Sequence, residues 1–361
     1  MSELQEYKCP CCGGAIEFNV SAQKLKCPFC DTEFEMDALA DYENEKSADG
    51  CDNMNWDTSS MKEWQEGEEE GIRVYICQSC GGEIVADENT VASSCPYCDS
   101  PIVMKSNVLG ILKPEVIIPF KYDKKAAKER FKAHLSNKKF LPKVFKTENH
   151  IEEIKGIYVP YWLFDSKAQA KMRYRATRNY VHSDSKNIYH ETLHYAVTRG
   201  GNIAFAHVPV DGASKLDDTL MESLEPYDYS EAVPFDKGYL AGYMADKYDV
   251  DEEASRGRAN QRVKNSTADF FRSTIYGYDT IVHEGGNIQL EEGKASYAMY
   301  PAWIMTTKWK GQQYLFAMNG QTGKFVGDLP VDKAVAVKTF LKVGGSVAAV
   351  TFAILTGIWF I

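Results

Sequence analysis

The sequence predicts an α+β protein with two small cysteine-bearing modules at its amino end, a mainly antiparallel body, and one apolar helix at its carboxyl end. Three observations predict it. Residues 9–30 and 77–98 are an internal repeat. From about residue 106 the composition becomes globular, with helix-period stretches set among β-rich segments. The run from Val343 to Ile361 is 19 residues without a charge.

The repeat aligns CPCCGGAIEF…CPFCDTEF with CQSCGGEIVA…CPYCDSPI at a constant offset of 68. Cys9, Cys12, Cys27 and Cys30 map onto Cys77, Cys80, Cys95 and Cys98. Each unit reads C-x2-C-x14-C-x2-C. The first residues, MSELQEYKCP, contain no apolar signal segment, so a cytoplasmic, reducing setting is expected. Ten cysteines there point to metal rather than to disulfides. Four thiolates satisfy a tetrahedral zinc ion and leave no open position, as in a structural site. Gly13-Gly14 and Gly81-Gly82 permit the tight turn behind the metal. A module of about 25 residues cannot bury enough surface to fold alone, so zinc binding and folding should be linked. The expectation is two four-cysteine zinc ribbons, at 1–40 and 72–105, holding two structural Zn2+ ions. Cys11 and Cys51 fall outside the register and read as ordinary free thiols.

Between the ribbons, residues 41–71 hold eleven Asp/Glu against two Lys, which reads as a solvated acidic linker. Trp56 and Trp64 stand out there as anchors for a short helix or a partner. The body, 106–330, reads as two related halves. One opens with Pro119-Phe120, with a helix near 123–139 and strands from Gly156. The other opens with Pro234-Phe235, with a helix near 250–275 and strands near 278–327. Tyr158-Val159-Pro160-Tyr161-Trp162-Leu163 resembles Tyr300-Pro301-Ala302-Trp303-Ile304, as a diverged duplication would. Asn319-Gly320, followed by Gly323, predicts a hairpin turn because Asn and Gly accept positive φ.

Segment 331–361 reads as a basic-flanked transmembrane helix. Nineteen residues span roughly 28 Å as a helix, close to the hydrocarbon thickness. Lys333, Lys338 and Lys342 precede the span and place the domains on the cytoplasmic side. Trp359 sits where an interfacial aromatic belongs. Gly345, Ala349, Ala353 and Gly357 form a small-residue stripe suited to helix packing and self-association. Residues 121–146 carry ten Lys/Arg, with Lys124, Lys125, Lys128, Arg130, Lys132, Lys138 and Lys139 as the basic surface. Ala127, Phe131 and Leu135 make an apolar stripe on the same helix. Because the chain ends in an expected span, an anionic inner leaflet ranks ahead of nucleic acid as what this face meets.

Some functions are disfavoured. A net charge of -10 argues against a nucleic-acid-coating protein. No G-x-S-x-G elbow is present, and Gly320-Gln321-Thr322-Gly323-Lys324 is too short for a phosphate-binding loop. His190-Glu191-Thr192-Leu193-His194 matches H-E-x-x-H, but its aromatic and β-branched surroundings predict a strand. Residues four apart on a strand lie roughly 13 Å apart, too far to share one ion.

Taken together, the two ribbons, Lys155-Gly156-Ile157-Tyr158-Val159-Pro160-Tyr161-Trp162, Pro209-Val210-Asp211-Gly212 and Asn319-Gly320-Gln321-Thr322-Gly323-Lys324 resemble bacterial membrane-anchored TFIIB-type zinc-ribbon proteins. The resemblance covers nearly the whole chain. Such proteins are often labelled replication-restart helicase-like, and this chain lacks the nucleotide-binding loop that activity needs. The leading expectation is a membrane-anchored, cytoplasm-facing zinc adaptor or scaffold that binds protein partners through its ribbons. The alternative is a nucleic-acid-binding zinc-ribbon protein of replication, repair or transcription; a zinc hydrolase at His190, Glu191 and His194 ranks third. No catalytic residue is assigned.

Overall fold

The computed structural model describes residues 9, 14–29, 31–35, 54–87, 94–106, 108, 111–136, 138–146, 154–327 and 329–359. It is an α+β structure with mixed, mainly antiparallel pairing. The first ribbon holds β1 (Glu17–Asn19), β2 (Lys24–Lys26) and β3 (Glu33–Phe34), an antiparallel sheet in that order. The β1–β2 turn is closed by the Asn19 carboxamide oxygen, which accepts from the N–H groups of Ser21 at 3.0 Å and Ala22 at 3.1 Å. This is the local side-chain-to-backbone bonding that makes Asn a turn residue.

Then come β4 (Trp56–Asp57) and β5 (Lys62–Glu63). The second ribbon holds β6 (Ile72–Cys77), β7 (Glu83–Asp87) and β8 (Ile102–Ser106). After β9 (Leu112–Lys113) and β10 (Val116–Ile117) comes helix α1 (Lys124–Ser136). Two long strands follow, β11 (Lys155–Ser183) and β12 (Ile188–Asp211). The remaining elements are α2 (Asp218–Leu224), β13 (Val233–Pro234), β14 (Met244–Asp246), α3 (Glu252–Ser273), β15 (Thr280–Trp309), β16 (Gln312–Asn319), β17 (Phe325–Gly327) and α4 (Lys333–Trp359).

The chain divides into two compact units. The first takes residues up to Thr58, Leu163–Pro209 and Arg256–Ala295. Here β11 alternates as a half-buried strand should. Ala168, Ala170, Met172, Tyr174 and Ala176 point inward, while Lys167, Gln169 and Lys171 face solvent. Phe271 and Ile275, at and just beyond the end of α3, pack on the inward set together with Val197 of β12. Trp56 meets Phe164 edge-on at 5.1 Å and pairs beside Gly293, where an added Cβ would lie 2.5 Å from its ring.

The second unit takes Ser59–Trp162, Val210–Ser255 and Ser296–Ile361. Ile157 to Trp162 of β11 and Tyr297 to Met305 of β15 are buried without alternation. That pattern belongs to strands covered on both faces. The two related motifs therefore read as continuous apolar runs. Their rings meet: Tyr161 and Tyr300 lie 4.7 Å apart. Two short strands pair in parallel with the long ones. β10, which precedes α1, runs parallel to β15, and β14, which precedes α3, runs parallel to β11. The α1 stripe packs as read: Ala127, Phe131 and Leu135 are buried with Phe145, Trp303, Phe316 and Met318.

Two readings change. Residues 54–71, part of the acidic stretch read as linker, carry β4 and β5 rather than a short helix. Trp64 there is buried, meeting Phe235 edge-on at 5.7 Å. The two tryptophans that stand out in this stretch are anchors, but to packed rings of the body units rather than to a helix. In the hairpin between β16 and β17, the positive φ belongs to Gly323 (+76°) and not to Asn319 or Gly320. Asn319 instead uses its side chain, accepting from Gln321 N–H at 2.9 Å and Thr322 N–H at 2.8 Å. Gly320 is required for close approach, since a Cβ there would lie 2.7 Å from both Phe120 and Pro301.

Candidate metal centre

Four cysteines of the second ribbon converge. The sulfurs of Cys77, Cys80, Cys95 and Cys98 all lie within 4.8 Å of one another. Cys77 and Cys98 are 3.5 Å apart, and Cys80 and Cys95 are 3.6 Å apart. A tetrahedron with bonds of about 2.3 Å to zinc has edges of about 3.8 Å, so the set fits such an ion with little adjustment. Cys77 and Cys95 are buried and their partners half-buried, and four thiolates would complete a tetrahedral ion.

Backbone turns aim the sulfurs. The Cys77 N–H donates to Gly82 O at 2.9 Å, and Gly81 N–H donates back to Cys77 O at 2.9 Å. The second pair repeats this, with Cys95 N–H to Ser100 O at 2.8 Å and Asp99 N–H to Cys95 O at 3.0 Å. Gly81 at φ +74° and Asp99 at φ +61° occupy the same place in the two turns. Glycine and aspartate are residues that tolerate this left-handed position. Gly82 has a different setting: a Cβ there would lie 3.2 Å from the Tyr97 ring, a tight contact that the ring would have to yield to.

The first ribbon shows the same turns where it is described. Cys9 N–H donates to Gly14 O at 2.7 Å, Cys27 N–H to Thr32 O at 3.0 Å, and Asp31 N–H to Cys27 O at 2.9 Å. Asp31 again has positive φ, +56°. Cys9 and Cys27 are buried with Ile16 and Phe34 packed on them. Cys12 and Cys30 lie outside the described residues, as do Cys11 and Cys51.

The thiols of the second ribbon are not electrostatically alike. Burial pushes Cys80 upward and Cys95 far upward. At Cys98 burial also acts upward, but hydrogen bonds from the Ser100 hydroxyl and N–H, and from Cys77 and Cys80, bring it down to about 6. A metal entering at neutral pH would meet a thiolate at Cys98 and would displace protons from Cys80 and Cys95.

Sequence spacing carried no sign of what surrounds the cage. Strand β7 pairs antiparallel with β14, and β14 runs parallel to β11, so this ribbon is continuous with the sheet of its unit. At the start of β11, the Lys155 ammonium donates to Asp99 Oδ1 at 2.6 Å, Ser94 Oγ at 2.7 Å and Cys95 O at 3.0 Å. Thr306 donates to Pro96 O at 3.1 Å. Glu83 is clasped by Lys105 and by Lys247, the latter at 2.7 Å. Burial opposes it, but these bonds hold Glu83 below the usual carboxylate range. Asp246 of β14 is fully buried; desolvation and then the charge of Asp249 push it up to about 8.

The remaining residues singled out in the sequence are placed as follows. His190, Glu191 and His194 lie on β12, a strand, with the two histidines four residues apart along it. Of the basic surface, Lys124, Lys125, Lys132, Lys138 and Lys139 are exposed and Lys128 is half-buried. Arg130 is folded against Tyr122, 4.1 Å from its ring, and donates to its hydroxyl at 2.9 Å. Residues Lys333–Thr356 of α4 form a helix long and apolar enough to cross a membrane, with mean hydropathy 1.6. Gly345, Ala349 and Ala353 are exposed on it, and the helix continues through Gly357 to Trp359.

A Bacillus subtilis (strain 168) protein described as uncharacterized protein YdjG is similar to this chain, 29% identical over 339 residues that cover 94% of each. No family model matches the sequence. No solved structure matches it either.

Proposed function

We propose that this chain is a single-pass, membrane-anchored zinc protein whose domains face the cytoplasm, and that it acts as an adaptor or scaffold. Zinc occupies both cysteine sets as a structural ion. The second cage braces the body sheet through β7, β14 and Lys155. The first ribbon presents itself to partners. The observation that carries this reading is its exposed apolar side chains. Phe18 is 48% exposed, Val20 74% and Phe29 74%, on a module whose backbone is held by metal-binding turns. Apolar groups held outward on a small rigid module suit protein contacts, and the acidic balance of the ribbons does not suit phosphate.

A photo-crosslinking residue placed at Phe29 in cells tests it. The expected result is a discrete crosslinked partner, absent when the probe replaces the 85%-exposed Tyr276 and lost in the Cys9→Ser background. Equal crosslinking from both positions would end the adaptor reading.

A further inference from the structure

A groove of about 460 Å³ lies at the foot of α4, lined by Lys138, Lys139, Phe140, Leu141, Leu329, Pro330 and Val331. Its floor is firm, because Leu141 is buried in the α1 core cluster and Leu329 packs on that cluster. Its wall is tied to the helix start: Asp332 N–H donates to Phe140 O at 2.8 Å, and the Asp332 carboxylate accepts from Ala334 N–H at 3.0 Å. Phe140 is 39% exposed and Val331 56% exposed at its rim. Both lysines face solvent, and Lys333, exposed like them, opens the helix that follows.

We propose that this groove binds the headgroup and upper acyl chain of an anionic phospholipid. The inference rests on α4 being a membrane span. Given that, chain continuity keeps the groove on the leaflet's cytoplasmic side, because only the Lys333–Lys342 stretch of α4, about 15 Å of helix with three lysines, leads from it into the uncharged run. The mixed lining matches the ligand. Lys138 and Lys139 supply the charge a phosphate needs, while Phe140, Leu329 and Val331 offer apolar surface to the chain.

The test is native mass spectrometry of the full chain in neutral detergent, titrated with phosphatidylglycerol, with phosphatidylcholine of the same acyl chains, and with inorganic phosphate. One phosphatidylglycerol per chain should be retained in preference to phosphatidylcholine, and millimolar phosphate should not displace it. At about fivefold per lysine, Lys138→Glu with Lys139→Glu should weaken retention by about 25-fold or more. Lys124→Glu with Lys125→Glu should change it by less than about twofold. Equal retention of both lipids, equal loss in the two double variants, or displacement by phosphate would each overturn the proposal. Alkaline carbonate extraction of cell membranes separates the two levels. A chain released into the soluble fraction defeats the span itself, whereas an integral chain without lipid preference defeats only the groove.

Discussion

In the cluster of Cys77, Cys80, Cys95 and Cys98, the protonation of Cys80 and Cys95 opposes the entry of a metal ion. Cys80 and Cys95 hold their protons above the usual thiol range because they are buried. Zinc must therefore release them, and affinity should fall at least tenfold for each pH unit lowered below neutrality. Competition against a zinc chelator at pH 6, 7 and 8 measures this slope; a flat profile would mean that other ligands hold the ion. Asp246 gives a second pH effect, independent of metal. The unfolded chain ionises it near pH 4, while the folded chain does so only near pH 8. Its neutral form is favoured by folding, so stability is fully present at low pH and is lost as pH rises between these values. Asp246→Asn should flatten that decline in denaturant unfolding followed from pH 5 to pH 8. The cysteines were legible because their spacing is itself chemistry. Lys155 and Asp246 were not, because a lysine or aspartate in sequence carries no mark of what will be packed beside it.

Among the elements, helix α1 follows from periodicity, while α3 and the long strands were read only in outline. Ala127, Phe131 and Leu135 recur every four residues and are buried together. Phe131→Ala should cost about 3–5 kcal/mol, readable as a lowered denaturation midpoint with the slope unchanged. The H-E-x-x-H segment was legible as a strand for the same reason, from its β-branched and aromatic neighbours. Replacing His190 and His194 together by alanine should leave bound zinc per chain unchanged, and a loss would restore the hydrolase reading. Less legible were β4 and β5. Each is two residues long, set in acidic sequence, and held by distant partners, Trp56 by Phe164 and Trp64 by Phe235. Local composition cannot report contacts that the chain makes more than a hundred residues away. The same holds for β7 with β14, the pairing that turns the second ribbon from a bead on a linker into part of a sheet.

For the molecule as a whole, composition separates what the cysteines, the body and α4 do. In the proposed function, zinc would take the place of the hydrophobic core that a small module cannot build, while the body has clusters of its own. The apolar length of α4 exceeds anything the described body covers, since none of its most apolar stretch is buried. Full-length protein should accordingly require detergent for release from membranes, while a chain ending at residue 332 should not, as fractionation with and without detergent will show. β10 runs parallel to β15 and β14 parallel to β11, pairings between residues far apart in the chain that local composition does not report.

If zinc fills both cysteine sets, as proposed, each chain holds two zinc ions. Elemental analysis of the purified full-length protein, paired with thiol titration, measures this directly. The expected values are two zinc ions per chain for the native protein and one for the Cys77→Ser, Cys95→Ser variant. A folded chain without metal, or with these sulfurs joined in disulfides, would contradict the central claim.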